Sequence, residues 1–309
     1  MGFAFNGAVE QGLLFAIMAL GVYLTFRILN FADMTVDGSF ALGGALAAKL
    51  IIEGTSPVLA TLLAMVAGAV AGIFTGVLST KGKINGLLAG ILTMIALYSI
   101  NLRIMEQANL PLLREETLYT FVKGLEVPDL AIAGATILSG VGLVFLLLAS
   151  VVVALIVWFL HTDFGLDLRA TGDNPTMIRS FGANTDSTTI MGLGIANAMV
   201  AASGALVAQY QGFADVSMGI GMIVIGLASV IVGEVLFGHT TILRAAIAVV
   251  LGSVVYRLVI MLALRAGLEA SDMKLITAVI VIIALTLPNV VKGVWKKTNK
   301  PVKGGSNHA

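Results

Sequence analysis

Two acidic residues lie in a short polar stretch between two apolar runs. The stretch reads NFADMTVDGS at 30–39 and contains Asp33 and Asp37; GLLFAIMALGVYLTFRIL precedes it and FALGGALAAKLII follows it. Carboxylates attract amines, and the amino-terminal ends of helices attract carboxylates. The stretch is either an ordinary loop or a polar site held inside the protein. The first question is whether the flanking apolar runs are membrane spans.

The composition indicates that the flanking runs are membrane spans. Of the 309 residues, 58% are hydrophobic and 11% are charged, whereas about a quarter of a soluble domain is charged. A soluble protein of this length could not bury so many apolar residues. The formal net charge of +1 is not the strongly basic charge that is typical of nucleic-acid-binding proteins. The sequence has no cysteine, which excludes disulfides, thiolate metal sites and cysteine nucleophiles, and its three histidines lack metal-ligand spacing.

Nine apolar segments approach the roughly 20 residues that a membrane span needs. They lie at about 8–29, 38–53, 57–79, 84–105, 136–160, 187–209, 218–238, 241–265 and 273–290. The second segment is short and rich in glycine, so we expect it to be broken or re-entrant. Gly68, Gly72 and Gly76 predict close helix packing. The sequence thus predicts an all-α polytopic membrane protein of about nine (8–10) transmembrane helices, the second of them broken or short. It predicts a transmembrane domain at 1–290 and a flexible basic tail at 291–309.

The distribution of lysine and arginine predicts the orientation of the spans. The tail after Pro288 carries five lysines and no acid, so we expect it in the cytoplasm. Counting spans backwards places the 161–186 loop on the cytoplasmic side. The same count places the acidic 106–131 loop and the amino terminus outside.

Ionisable side chains inside spans are costly and usually face the bundle interior or mark a pathway. We therefore expect the stretch at 30–39 to be a break in a helix, buried near a translocation pathway. Arg257, near the middle of its span, needs a partner, and Asp33 or Asp37 is expected first and Glu234 second. A structural clamp without ligand contact is the alternative for Arg257. The candidate pathway residues are Asn30, Phe31, Asp33, Thr35, Asp37, Ser39 and Arg257.

The stretch at 30–39 resembles a second segment in the other half of the chain. FADMTVDG at 31–38 and FADVSMGIG at 213–221 are each followed by an apolar run rich in small residues. The span count places the two copies toward opposite sides of the membrane. Inverted repeats of this kind build transporter sites from broken helices. The alternative is a chance match in a sequence of biased composition.

The 161–186 loop, HTDFGLDLRATGDNPTMIRSFGANTD, is too polar to span the membrane. Within it, DNPTMIRSFGAN carries the signals of a short helix at 174–181. Asp173 or Asn174 suits its cap, Pro175 its first turn, and Gly182 or Asn184 its end. Methionine, isoleucine and phenylalanine give this helix one apolar edge, which predicts a docking face. A solvated loop is the alternative.

These segments resemble a known family. LRATGDNPTMIRSFGANTDSTTIMGLGIANAMVAASGALVAQYQG and NFADMTVDGSFALGGALAA are similar to segments of ABC-importer permeases of the branched-chain amino acid and ribose group. More narrowly, ILTMIALYSINLRIM, TVDGSFALGGA, IVGEVLFG and VYRLVIMLAL resemble the permeases of tryptophan and tyrosine importers. The matching segments run from about residue 24 to residue 264.

The resemblance implies a bacterial inner-membrane assembly. Two permease copies would form the pore, two cytoplasmic ATPase subunits would dock below, and an extracytoplasmic binding protein would deliver a small polar solute. We expect this solute to be an amino acid, aromatic or branched-chain. Arg169 would fix the loop by a salt bridge, and Gly182 and Asn184 would set its return turn. The remaining residues implied in coupling are Asp173, Asn174, Pro175, Met177, Ile178 and Phe181.

The sequence carries no enzyme signature. It lacks the Walker phosphate loop, the Gly-x-Ser-x-Gly elbow and the His-Glu-x-x-His zinc motif. We therefore expect this chain to bind no cofactor and to leave ATP and magnesium to a partner ATPase. The alternatives are a permease for a nucleoside or sugar, an ion-coupled secondary transporter with Asp33 and Asp37 as coupling acids, and a structural subunit of another membrane complex.

Overall fold

The computed structural model describes residues 2–132 and 135–269, together with 272, 275–279, 282 and 286. Its helices are α1 (Gly2–Val22), α2 (Thr35–Ile52), α3 (Pro57–Thr80), α4 (Gly86–Met105), α5 (Leu118–Gly124), α6 (Gly140–Leu160), α7 (Asp163–Asp173), α8 (Pro175–Ser180), α9 (Thr185–Gln211), α10 (Met222–Phe237) and α11 (Ile242–Arg265). Its strands are β1 (Asn109–Pro111), β2 (Leu130–Ile132), β3 (Ala135–Leu138) and β4 (Phe213–Asp215).

The all-α membrane architecture is confirmed. Among the described residues, seven helices are long and apolar enough to cross a membrane, and α10 is a shorter apolar helix. The second span is short, as predicted, but α2 is continuous, so the expectation of a broken second span is wrong. The break instead precedes α2. The predicted span at 273–290 falls mostly outside the described residues, and the tail at 291–309 falls wholly outside them.

The connecting segments lie at two opposite ends of the bundle. At one end β1, which follows α4, pairs antiparallel with β4, which follows α9. The other end carries α7 and α8, which come directly before α9, and the 27 residues of α9 extend about 40 Å between the two ends. Arg27, five residues after the end of α1, shares a cleft with Arg169 of α7. The 106–131 and 161–186 loops therefore lie at opposite ends, consistent with their predicted sides.

Glycines let α3 and α9 pack backbone to backbone. A Cβ atom at Gly68 would lie 2.4 Å from the Cβ of Ala201 and 2.5 Å from the carbonyl oxygen of Asn197. A Cβ at Gly72 would lie 2.2 Å from the carbonyl oxygen of Leu193, and one at Gly76 would also collide with α9. The predicted close packing is confirmed, and it holds α9 against the helices that carry the polar break.

We expect Gly68→Val to lower the free energy of unfolding by about 2–3 kcal/mol, because the added atoms meet backbone that cannot move aside. Thermal unfolding of the full-length chain in detergent, followed by loss of the monodisperse chromatographic peak, measures the effect. Gly124→Val is the control, because a Cβ at Gly124 meets nothing within 4 Å. Equal shifts for both variants would contradict this account of the packing.

Candidate functional site

The break between the first two spans begins with a change of helix type. After Val22 the chain continues as a π-helical segment, Tyr23–Ile28. Asn30 follows with a φ of 54°, in the left-handed region that asparagine tolerates better than most residues. The chain then turns into α2 with no further regular structure. The π-helical turn, a feature common at functional sites, gave no signal in the sequence.

Asp33 lies at the centre of a buried hydrogen-bond network. Its Oδ1 accepts a hydrogen bond from the Thr35 amide at 2.9 Å, and its Oδ2 accepts one from Asn197 Nδ2 at 2.7 Å. Asn197 Oδ1 in turn accepts from the Ser39 hydroxyl at 2.7 Å. All four side chains are 0% exposed. The expectation of a buried break is therefore confirmed, and an ordinary solvated loop is excluded for Asp33.

A chain of threonine hydroxyls extends this network to two more helices. The hydroxyls of Thr35 and Thr75 lie 2.7 Å apart, and Thr75 donates to Thr93 at 2.9 Å. Together the two sets of bonds join α2 to α3, α4 and α9. Sequence reasoning missed Asn197, Thr75 and Thr93, although an asparagine inside the apolar α9 run is a signal that could have been followed.

Asp37 belongs to α2, but its carboxylate lies outside this network, at the amino-terminal end of α10. Its Oδ2 accepts a hydrogen bond from the Gly221 amide and its Oδ1 accepts one from the Ile223 amide, both at 2.8 Å. Gly221, with a φ of +87°, is the residue before α10. The carboxylate thus satisfies amides that the helix leaves unpaired and faces the positive end of its dipole. Asp37 links the first half of the chain to the second.

The expected partners of Arg257 are wrong. Asp33 and Asp37 bond to the groups described above, and Glu234 forms an ion pair with Arg27 at 2.9 Å. The Arg257 guanidinium instead lies over the Phe15 ring, with Cζ 3.7 Å from the ring centroid. The reason is helix placement: α11 packs on α1, whereas Asp33 bonds to α9 and Asp37 bonds to the start of α10.

The other two candidates at the break lie apart from the network. Asn30 is exposed, and Phe31 is half-buried. A Cβ added at Gly86 would lie 2.6 Å from the Phe31 ring, so that ring packs against the start of α4. The structure therefore brings together Asp33, Thr35 and Ser39, places Asp37 beside α10, and leaves Asn30, Phe31 and Arg257 separate.

The short helix predicted at 174–181 is present as α8. Asn174 caps it by accepting a hydrogen bond from the Met177 amide at 3.0 Å, and Pro175 takes the first turn. Met177 is 52% exposed and Phe181 is 75% exposed. Ile178 is half-buried, while Asp173 is exposed at the end of α7. The apolar edge expected from the sequence is therefore mostly exposed at two of its three residues.

The return turn after α8 is set as predicted, but its ion pair is not. Gly182 has a φ of +87°, which favours glycine, and Asn184 caps α9 through the amides of Asp186 and Ser187. Arg179, not Arg169, forms the salt bridge in this segment, to Asp186 at 2.9 Å. The predicted role of Arg169 is wrong because α7 carries it toward the π-helical segment Tyr23–Ile28, where it lines a cleft with Arg27.

Helix α7 was missed because its sequence is polar. Thr162 begins it by accepting a hydrogen bond from the Gly165 amide at 3.2 Å. This cap, Thr162 followed by Asp163, is a recognisable amino-terminal signal. Leu168 is buried against Gly192 of α9, so one apolar residue anchors the helix to the bundle.

The two copies of the Phe-Ala-Asp motif form the same local turn. Asp33 Oδ1 accepts from the amide two residues later, and Asp215 Oδ1 accepts from the Ser217 amide at 2.7 Å. Partial burial alone would raise the pKa of Asp215, but hydrogen bonds from Ser217 and Asn109 hold the pKa below its ordinary value. The turns lie before α2 and before α10, which run in opposite directions. This arrangement supports the interpretation of the segments at 31–38 and 213–221 as parts of an inverted repeat.

The sequence matches the family described as "Branched-chain amino acid transport system / permease component" over residues 4–286. The chain belongs to this permease family. The resemblance found in its motifs is thereby confirmed, and together with the seven apolar helices it makes this permease a multi-pass protein of the inner membrane.

Three individual proteins are similar to this permease over most of its length. The permease is 43% identical over 291 residues to the tyrosine transport system permease protein of Clostridioides difficile (strain R20291), covering 94% of this chain and 93% of that protein. It is 31% identical to the uncharacterized protein RP368 of Rickettsia prowazekii (strain Madrid E), covering 90% and 95% of the two chains. It is 28% identical to the inner membrane ABC transporter permease protein YjfF of Escherichia coli (strain K12), covering 81% and 68%.

Proposed function

We propose that this permease is the membrane-spanning subunit of an ATP-driven importer of an amino acid, with an aromatic amino acid such as tyrosine as the substrate. Family membership supports the transporter role, and the name of the Clostridioides difficile relative supports the substrate. ATP and its magnesium ion would be bound by a separate ATPase. The other proposed components are a second permease copy and an extracytoplasmic binding protein.

The observation that carries the proposal is the exposed apolar edge of α8. Met177 and Phe181 leave most of their surface uncovered at the end of the bundle that holds α7. No span requires a short helix there, and an exposed methionine and phenylalanine side by side are typical of a docking surface. We propose that α8 fits a groove on the cytoplasmic ATPase, and that the carboxyl terminus also lies in the cytoplasm.

ATP-driven movement of the ATPases would act on the pore through this contact. Helix α8 connects at once to α9 through the turn at Gly182, and α9 packs closely on α2 and α3. A movement of α8 would therefore be transmitted to α9, the helix whose Asn197 side chain bonds to Asp33 in the polar break. Rigid-body rotation of the two permeases would then switch access between the two sides of the membrane.

We expect Phe181→Glu to abolish copurification of the ATPase and uptake of labelled L-tyrosine, because a carboxylate cannot enter an apolar groove without a large desolvation cost. Pull-down of the ATPase on the tagged permease and uptake by whole cells measure the two effects. Leu113→Glu is the matched control, since Leu113 is 85% exposed but follows β1 at the opposite end of the bundle.

Two results would count against the proposal. Normal copurification and uptake with Phe181→Glu would show that α8 is not the docking element. Uptake by the wild-type permease that collapses with a protonophore but persists after depletion of ATP would favour an ion-coupled transporter instead.

A further inference from the structure

A cavity of 550 Å³ lies between the first turns of α1, the end of α9 and the last turns of α11. Small-molecule sites have volumes of about 300–1,000 Å³. Part of the wall is aliphatic, and the polar part includes Gln11 of α1, Tyr210 of α9 and Arg257 of α11. Arg265 also lines it, and no aspartate or glutamate is among the described residues of the lining. The described lining is therefore cationic.

Arg257 brings to this cavity a positive charge that no described residue neutralises. The residue is half-buried, and its Nε atom is buried without a hydrogen-bond acceptor in the described part of the chain. None of the ion pairs between described residues includes it. The Phe15 ring covers one face of the guanidinium, but a ring contact leaves the N–H donors at the edge of the group unpaired. Such a charge is costly unless an anion satisfies it.

Glu10, an acid bonded to the cavity residue Tyr210, does not supply that anion. Its Oε2 accepts a hydrogen bond from the Tyr210 hydroxyl at 2.9 Å, and its Oε1 accepts one from the Ser139 hydroxyl. The hydroxyl of Tyr210 has one donor, which is thereby used. Arg257 consequently remains as a charged donor that lines the cavity and has no described acceptor.

The depth of Arg257 favours a solute over a lipid headgroup as the source of the anion. Helix α11 ends at Arg265, and a rise of 1.5 Å per residue puts Arg257 about 12 Å inside that end. Lipid phosphates lie outside the hydrocarbon core of the bilayer. Solute sites of transporters lie near the midplane, and ionisable groups inside spans usually mark a pathway.

We propose that Arg257 binds the carboxylate of the transported solute in this cavity, with the apolar part of the solute against Ile260, Met261 and Leu264. The guanidinium presents a fork of N–H donors that matches the two oxygens of a carboxylate. The inference rests on the proposed function and makes it more specific, because it assigns a residue to the carboxylate of the amino acid. An amine without a carboxylate is repelled by the guanidinium, and a neutral sugar supplies no negative charge.

Saturation-transfer NMR on the full-length permease in phosphatidylcholine nanodiscs tests the site. The probe is 3-(4-hydroxyphenyl)propionate, which has the carboxylate without an amine. We expect it to bind, to be displaced by L-tyrosine, and to stay bound in the presence of tyramine, which has the amine without a carboxylate. Arg257→Gln should raise the Kd of the propionate at least about tenfold, the loss that corresponds to a hydrogen bond between charged groups.

Arg244→Gln is the matched control on the same helix. Arg244 does not line the cavity, and its Nε donates to the carbonyl oxygen of Phe237 at 2.7 Å, near the start of α11. The Kd of the propionate should therefore stay unchanged in this variant.

Gly7→Phe tests the site with Arg257 in place, in case Arg257→Gln does not fold. Gly7 lines the cavity from α1. A Cβ added there would meet the Tyr210 hydroxyl at 3.8 Å, an ordinary contact, so the backbone leaves room for a side chain. The phenylalanine ring should fill the cavity and abolish binding of the propionate.

Three outcomes would overturn the proposal. The first is an unchanged Kd in both Arg257→Gln and Gly7→Phe. The second is displacement of the propionate by sodium chloride at the concentration at which L-tyrosine displaces it, which would assign the cavity to an inorganic anion. The third is a Kd that rises in phosphatidylglycerol nanodiscs for the wild type but not for Arg257→Gln, which would assign the cavity to a lipid phosphate.

ATP-dependent L-tyrosine uptake by the complex with its ATPase is measured separately, so that the site and the proposed function can fail independently. If uptake is absent while binding of the propionate still depends on Arg257, the importer function fails and the carboxylate site stands. Normal uptake together with Arg257-independent binding removes only the site.

Discussion

Asp33→Leu is expected to lower the free energy of unfolding by about 3 kcal/mol or more, because two buried donors lose their acceptor. The Thr35 amide and Asn197 Nδ2 both donate to the Asp33 carboxylate, at 2.9 and 2.7 Å, and all three residues are fully buried. Leucine fills the volume but accepts no hydrogen bond. Thermal unfolding of the full-length permease in detergent should show the loss, and in cells the yield of folded protein should fall.

The network also predicts that Asp33→Asn is not conservative. Asn197 Oδ1 is already held by the Ser39 hydroxyl, so Asn197 can present only its nitrogen to residue 33. An asparagine there must either turn a donor toward that nitrogen or abandon the bond to Thr35. A double-mutant cycle with Asn197→Leu should show strong coupling, since the two residues share one bond.

Asp167→Leu serves as the control for the Asp33 variants. Asp167 is an exposed acid on α7 with no described hydrogen-bond partner in the network. A stability of Asp33→Leu equal to that of Asp167→Leu would mean that the buried bonds contribute little, and the assignment of Asp33 as the anchor of the break would be wrong.

The sequence predicted the elements of this fold well because the signals are local. Apolar segments of about 20 residues mark the spans, and the predicted segment at 57–79 became Pro57–Thr80. The Asn-Pro pair predicted the start of α8 to within one residue. The spacing of Gly68, Gly72 and Gly76 predicted a close helix contact. In each case a few neighbouring residues determine the structure without reference to the rest of the chain.

Partners across the fold could not be predicted in the same way. Asp33 and Asn197 are separated by 164 residues, and their contact depends on how α2 and α9 are rotated against each other. For Arg257, charge complementarity suggested an acid, but the packing of α11 on α1 put the side chain over Phe15 instead. Apolar periodicity could not predict α7, because the sequence of that helix is polar. Side-chain pairing between distant helices is thus the part that needs the structure.

Asp37→Ala is expected to release the start of α10 and to stop transport. The change removes the acceptor for the Gly221 and Ile223 amides, whose bonds to Asp37 are both 2.8 Å long. Loss of a side-chain cap of this kind costs about 2 kcal/mol at most. Because Asp37 joins α2 in the first half of the chain to α10 in the second, that loss is expected to uncouple the two halves while the ATPase still binds α8.

Hydrogen exchange measured by mass spectrometry reads the first effect locally. In Asp37→Ala the amides of residues 221–223 should exchange up to about thirtyfold faster, the factor that corresponds to 2 kcal/mol. Glu53→Ala is the matched control, because Glu53 directly follows α2 and reaches only Lys49, at 3.8 Å. Unchanged exchange at 221–223 in Asp37→Ala would show that the amides are held by other means. Since the ion pair between Arg27 and Glu234 holds the opposite end of α10, faster exchange confined to 221–223 would identify Asp37 as a separate attachment of that helix to the first half of the chain.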